Sequence, residues 1–252
     1  MITAFFLLMR RIIVFGLLLM LGVGLQAQSL TGTRGLMKAP TARMYPDNTL
    51  VLGAAYIPSG IFKRTYGQYQ GVVTGNAGLN TFVTVNFLPF VEVMFRYSHE
   101  YNMKVQPTNR YFPDRMFTAR VRLMDEQGNR PAVLVGLQDV SAAFDLTCKG
   151  CSNYSAAYVV TSKEFAYRGY RVDASLGYSG DFRGMEAKDF RGLFGGVEVF
   201  TPYAENMSFL WDYDSQFMNV AINGYFFKRF HVTLGLLDMS KYTWILAYRY
   251  QI

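Results

Sequence analysis

Histidine is nearly absent from this chain of 252 residues, with His99 and His231 the only two. Metal centres and acid–base triads draw heavily on histidine, so a His-based zinc site or a Ser-His-Asp arrangement has little to be built from. Cysteine is as scarce, and the Cys-Lys-Gly-Cys of Cys148 and Cys151 lacks the βαβ setting that a thioredoxin-like role needs. Charged residues make up 17% of the chain, against about 25% in soluble domains. No Lys/Arg cluster is longer than a pair, and a phosphate-binding surface wants a contiguous basic stripe. Nucleic acid is therefore excluded as a partner despite the formal charge of +7. Long apolar runs are missing as well. The longest, 12–25, has about 14 residues, short of the ~20 that a membrane-spanning helix requires. No catalytic, cofactor-binding or metal-binding constellation emerges.

What is there begins with that run. Arg10 and Arg11 precede it, and Leu25-Gln26-Ala27 follows with a small residue at its end. The order basic, apolar, small is the secretory pattern, which predicts a signal peptide over 1–27 and a mature chain beginning at Gln28. Residues 1–8 are apolar where such a peptide should be positive, so translation is expected to begin at Met9. In an oxidising compartment Cys148 and Cys151 are expected to form a small disulfide that pins a loop.

The rest of the chain reads as segments of about ten residues with period-two alternation, separated by turn residues. In 170–178, Tyr170, Val172, Ala174, Leu176 and Tyr178 point one way, and Arg171, Asp173, Ser175 and Gly177 the other. Eight steps of ~3.3 Å, tilted by about 40°, set the two tyrosines ~20 Å apart along a barrel axis, near the height of an outer-membrane apolar band. The stretches 90–98, 116–124, 207–214 and 218–225 repeat the pattern. Twelve segments can be counted, starting near 49, 78, 90, 115, 131, 154, 170, 191, 207, 218, 230 and 241. An even number suits a closed barrel, and closure removes strand edges that lipid cannot satisfy. Aromatics, at 16%, suit the two rims of a lipid-facing surface. The expected fold is therefore all-β, a transmembrane antiparallel barrel of about 12 strands over 49–252, preceded by a periplasmic segment over 28–48.

At the C-terminus, Tyr242, Trp244, Leu246, Tyr248, Tyr250 and Ile252 share one face, with Ile245 as an exception on the other. Such a strand is what the barrel assembly machinery reads. The opposite faces carry charges of both signs toward the lumen: Glu92, Arg96, Arg120, Arg122, Asp139, Arg171, Asp173, Glu198, Asp212 and Arg249. Two readings stay open. These groups pair with one another inside a narrow barrel, or they line a path for a polar solute. His231 and Thr233 share the lumen side of one strand, but no amide partner is evident for a hydrolytic pair.

Several stretches carry a family resemblance. GLMKAPTARMYPDNTLVLG (35–53) is similar to the Gly-Leu-x-x-x-Pro-Thr-Ala…Pro-Asp-Gly-Thr-Leu opening of YjbH-like exopolysaccharide proteins, with Asn48 where Gly is usual. RLMDEQGNRPAVLVGLQDV (122–140) resembles that family's strand–turn–strand ending in Gly-Leu-x-Asp. YSAAYVVTSKEF (154–165) resembles its Tyr-Val-Val-x-Ser-Lys segment, and LGLLDMSKYTWILAYRY (234–250) a closing hairpin. These motifs are structural and not catalytic. The resemblance implies a non-enzymatic barrel in the outer membrane of a Gram-negative bacterium, working in exopolysaccharide or capsule production or export. Its expected partners are outer-membrane lipid, the assembly machinery, polysaccharide and export-complex proteins. Loop aromatics such as Tyr66, Tyr69, Tyr101 and Tyr111 are candidates for stacking on sugars. The alternatives are an anchor for a cell-surface or secretion complex, and an enzyme acting on lipid or envelope polymer.

Overall fold

The computed structural model describes residues 27–61, 63–66, 69–74, 76–101, 114–140, 154–183, 187 and 190–252, with backbone alone for 63–66, 69–74 and 114. The signal segment up to residue 26, the Cys148–Cys151 pair and Tyr111 lie outside the described residues.

Twelve antiparallel strands close into one barrel. They are β1 (Thr49–Ile57), β4 (Gly78–Leu88), β5 (Val91–Glu100), β6 (Asp114–Met124), β7 (Ala132–Gln138), β8 (Ala156–Tyr167), β9 (Tyr170–Gly180), β10 (Gly192–Phe200), β11 (Met207–Tyr213), β12 (Met218–Phe226), β13 (Phe230–Leu237) and β14 (Lys241–Gln251). A separate hairpin of β2 (Lys63–Tyr66) and β3 (Tyr69–Thr74) lies in the connection from β1 to β4. All twelve segments read from period-two alternation are barrel strands; the hairpin was not anticipated.

Each strand pairs with its neighbours in sequence, and β1 closes the ring between β4 and β14. The ends of the chain's barrel portion meet at the seam. The Ile252 N–H donates to the Asn48 carbonyl at 2.7 Å, and the Gln251 amide donates to the Asp47 carbonyl at 2.7 Å. Asn48 has φ 55°, the left-handed region that asparagine tolerates better than most L-residues, which explains why it can stand at this turn. We call this end of the barrel the lower rim. It carries the connections after β4, β6, β8, β10 and β12; at the upper rim those after β1, β5, β7 and β9 are longer, while those after β11 and β13 are short.

Alternation settles which face each side chain takes. On β9, Asp173, Ser175 and Ser179 are buried, while Leu176 and Tyr178 are 60% and 57% exposed. Leu193 and Leu234 are as open, at 61% and 60%, and Phe117, Phe209 and Trp211 are exposed beside them. The barrel thus wears its apolar residues outside and its polar ones inside, the inverse of a water-soluble domain. Soluble monomers rarely show contiguous apolar patches beyond a few hundred Å². Ile245, the exception in the alternation of β14, points inward and is fully buried.

Inward glycines, Gly53 and Gly177 among them, let the wall take bulky neighbours. Gly53 lies directly across from Phe82, and Gly177 across from Phe194. Each ring lies over the glycine so closely that an added Cβ would stand 2.3 Å from Phe82 and 2.2 Å from Phe194. Aromatic cover of cross-strand glycines is a known device for pinning register and curvature in barrels.

Candidate functional site

The interior of the barrel is occupied by the chain's own N-terminal segment. Residues 27–46, most of them in the stretch 28–48 expected to be a periplasmic segment, lie in the lumen: Gln28, Leu30, Leu36, Met37, Ala39 and Tyr45 are all at most 2% exposed. The segment is short, irregular and turn-rich. Two isolated bridges, Gln28 with Arg34 and Gly35 with Pro40, fold it back on itself. The Tyr45 hydroxyl donates to the Gln28 side-chain oxygen at 2.5 Å, tying its two ends together.

Such a segment leaves many backbone donors and acceptors without ladder partners, and buried ones must be satisfied. The inward polar side chains of the wall do this. The Lys38 and Ala39 N–H groups both donate to one Asp212 oxygen at 2.8 Å, and the Asn219 amide holds the other oxygen at 2.7 Å. The Ala42 N–H donates to Ser162 Oγ at 2.8 Å, which is itself hydrogen-bonded to Ser175 at 2.7 Å. Asn80 donates to the Leu30 carbonyl at 3.3 Å, and Thr84 to that of Gly32. The segment is thereby held from β4, β8 and β11.

Arg120 on β6 is the densest of these anchors. It is fully buried and donates to Glu92 at 2.6 Å, to the Arg34 carbonyl at 2.8 Å, to the Arg43 carbonyl at 3.2 Å and to the Thr41 carbonyl. Glu92 neutralises it from the adjacent strand β5. Segment side chains answer in kind: Arg43 reaches Asp173 at 2.8 Å and Glu126 at 2.5 Å, and Lys38 reaches Asp214 at 2.7 Å. The Arg249 guanidinium lies 6.0 Å from the Tyr45 ring and 5.0 Å from that of Tyr225.

Of the ten lumen candidates, Glu92, Arg96, Arg120, Asp139, Asp173, Glu198, Asp212 and Arg249 are buried. Arg96 stacks 4.5 Å over Tyr154, and Asp139 follows β7 with φ 55°. Glu198 accepts from Ser208 at 2.6 Å. Arg122 and Arg171 sit at the lower rim instead. Arg122 is bound to Asp125 at 2.8 Å and to the Pro89 carbonyl, and Arg171 lies 3.5 Å from Glu164. Arg120 is therefore paired with Glu92 and Arg122 with Asp125, and Arg120 faces the segment instead of open space.

The uncharged polar residues on the same faces, such as Asn80, Thr84, Ser162 and Asn219, were missed because only charges were followed. Their signal was present: each stands an even number of residues from a charged candidate or from another inward residue of its strand. Asn223 was missed too. It lies opposite Thr233 and accepts from its hydroxyl at 3.0 Å, one link of a chain through Ser208 to Glu198. His231, on the same side, is buried against Tyr225 with ring centroids 4.4 Å apart. His99 is exposed on β5 beside Tyr101, 5.8 Å away.

The sequence profile of the YjbH family, described as exopolysaccharide biosynthesis protein YbjH, matches residues 27–203. The match therefore takes in the luminal segment and the wall as far as the turn after β10. No curated protein matches the chain.

Proposed function

The chain belongs to the YjbH family of exopolysaccharide biosynthesis proteins, and from that premise we propose that it is a non-enzymatic barrel of the Gram-negative outer membrane that takes part in producing or exporting exopolysaccharide. The observation that carries the membrane part is the closed strand ladder with its apolar exterior. Backbone groups in hydrocarbon must be satisfied internally, and a closed barrel leaves no edge unpaired. Partners follow from that surface: outer-membrane lipid around the belt, and the assembly machinery at the aromatic C-terminal strand. Nucleic acid has no place in this reading.

The filled lumen shapes the role. Among the described residues the segment 27–46 occupies the lumen, so export of a polymer through the barrel requires that segment to move. The same observation favours a second reading, in which the barrel anchors a cell-surface or export complex and the polymer passes elsewhere. The enzymatic alternative gains no support from His231 and Thr233, because both are buried inward, away from the lipid face.

A clean deletion tests the proposal. Surface polysaccharide should fall and return with a plasmid copy, and the protein should fractionate with outer membranes as a heat-modifiable band. Unchanged polysaccharide in the deletion strain would remove the biosynthetic or export role and leave the anchoring one.

A further inference from the structure

At the lower rim, between the luminal segment and strands β6 to β10, lies a cavity of about 270 Å³ that opens toward solvent. Small-ligand sites run from about 300 to 1,000 Å³, so this one suits a single small polar unit. Its guanidiniums come from Arg34, Arg43, Arg122 and Arg171. Its carboxylates are those of Asp125, Glu126, Glu164, Asp173 and Glu198. Apolar lining is slight, and the face of Phe200 is already covered by the Arg171 guanidinium, 4.5 Å from the ring.

Most of these charges are locked. Arg43 grips Asp173 through two nitrogens, at 2.8 and 2.9 Å, and Glu126 with a third contact at 2.5 Å. Lys163 adds a second cation to Glu126 at 2.7 Å, and Arg122 is held by Asp125 at 2.8 Å. One pair is slack. Arg171 and Glu164 meet only at 3.5 Å, and their side chains are 41% and 39% exposed. A rigid charged frame around one loose donor–acceptor pair is suited to a ligand that supplies both donors and acceptors.

We infer that this cavity binds a neutral sugar unit, entering from the lower rim. Vicinal hydroxyls both donate and accept, so one can give its proton to Glu164 while its neighbour accepts from Arg171. Hydrogen bonds to ionised groups are the stronger kind. The charge count argues for a neutral ring over a uronate. Four guanidiniums and Lys163 are matched by five carboxylates, so the cavity has no surplus cation to neutralise a further carboxylate in a confined space. The inference rests on the polysaccharide reading above and narrows its substrate class.

Saturation-transfer NMR on the purified full-length barrel in detergent tests it. The probes are neutral tetrasaccharides of glucose, galactose, mannose and N-acetylglucosamine, set against tetragalacturonate. At least one neutral probe should be saturated, with the uronate bound about tenfold more weakly. Glu164→Ala combined with Arg171→Met, which keeps an aliphatic stem over Phe200, should weaken the neutral probe about tenfold while the band stays heat-modifiable. Three results would each overturn the assignment: no neutral probe bound, uronate bound as tightly, or a double variant that binds like the parent. Such a failure beside an intact deletion phenotype removes only this site, whereas sugar binding without a deletion phenotype removes the export role.

Discussion

Replacing Arg120 by methionine should release the N-terminal segment from the lumen without opening the barrel wall. Methionine keeps most of the aliphatic stem and deletes the guanidinium. Glu92, fully buried, then loses its cation at 2.6 Å, and the carbonyls of Arg34, Thr41 and Arg43 lose their donor. Breaking one partner out of a buried ion pair costs about 3–5 kcal/mol, and each hydrogen bond from a charged donor contributes about 1.5–3. These contributions overlap, so about 3–5 kcal/mol is the expected total. The loss falls on the segment, because three of the four acceptors belong to it and the twelve-strand ladder does not depend on them. Limited trypsin digestion of the purified barrel reads this directly. Arg34, Lys38 and Arg43 should resist cleavage in the parent and be cut within the segment in the variant, while heat-modifiable mobility is retained. Adding Glu92→Gln should restore part of the protection by removing the orphaned charge. If Arg120→Met resists trypsin as the parent does and unfolds at the same denaturant concentration, Arg120 is not the anchor argued here.

Further outcomes follow from other contacts. Asp212→Asn should weaken the segment by about 1–3 kcal/mol, since Lys38 and Ala39 donate to its carboxylate, and denaturant titration of tryptic protection would show it. Leu176→Arg, on the outer face, should cost about 2–4 kcal/mol in a bilayer. Ser175→Arg, one residue along, should leave the ladder intact but expel the segment, because Ser175 backs the Ser162 that holds Ala42; equal loss of the folded band in both variants would contradict the face assignment. Lys228→Gly should stabilise the turn after β12 by about 1 kcal/mol, since Lys228 sits at φ 59°, and a lower unfolding midpoint would refute it. Glu126 is subject to burial that would raise its pKa, but hydrogen bonds from Lys163 and Arg43 prevail and hold it below the ordinary carboxylate value. A lowered carboxylate contributes stability above its unfolded pKa and loses it as pH falls through the folded one. Protection of the amides around Arg43, corrected for the intrinsic pH dependence of exchange, should therefore hold at neutral pH and be lost only below the ordinary glutamate range; protection already lost near pH 6 would argue against this pairing.

The wall was legible in the sequence because a strand's period of two writes its burial onto every second residue. Tyr170 to Tyr178 and Met207 to Tyr213 carry that signal with few interruptions. The luminal segment was not legible for a physical reason. Residues 27–46 have no period, and their burial is imposed by partners far along the chain, such as Asp212, 173 residues from Ala39. A hint was available in the pairing of apolar Leu36, Met37 and Tyr45 with Gly32 and Gly35, an unusual mixture for a segment left in water. The lumen charges were legible as a set, but their partners were not, because Arg120 finds backbone carbonyls that no side-chain pattern encodes. The β2–β3 hairpin was missed because its strands are only 4 and 6 residues long.

The N-terminal segment 27–46 occupies the lumen of this barrel. Single-channel recording in a planar bilayer addresses that most directly, with the purified parent and the Arg120→Met, Asp212→Asn double variant inserted in parallel. The parent should insert without stepwise conductance, and the double variant should show discrete openings. A parent protein that conducts in steps as large as those of the variant would contradict the occupied lumen.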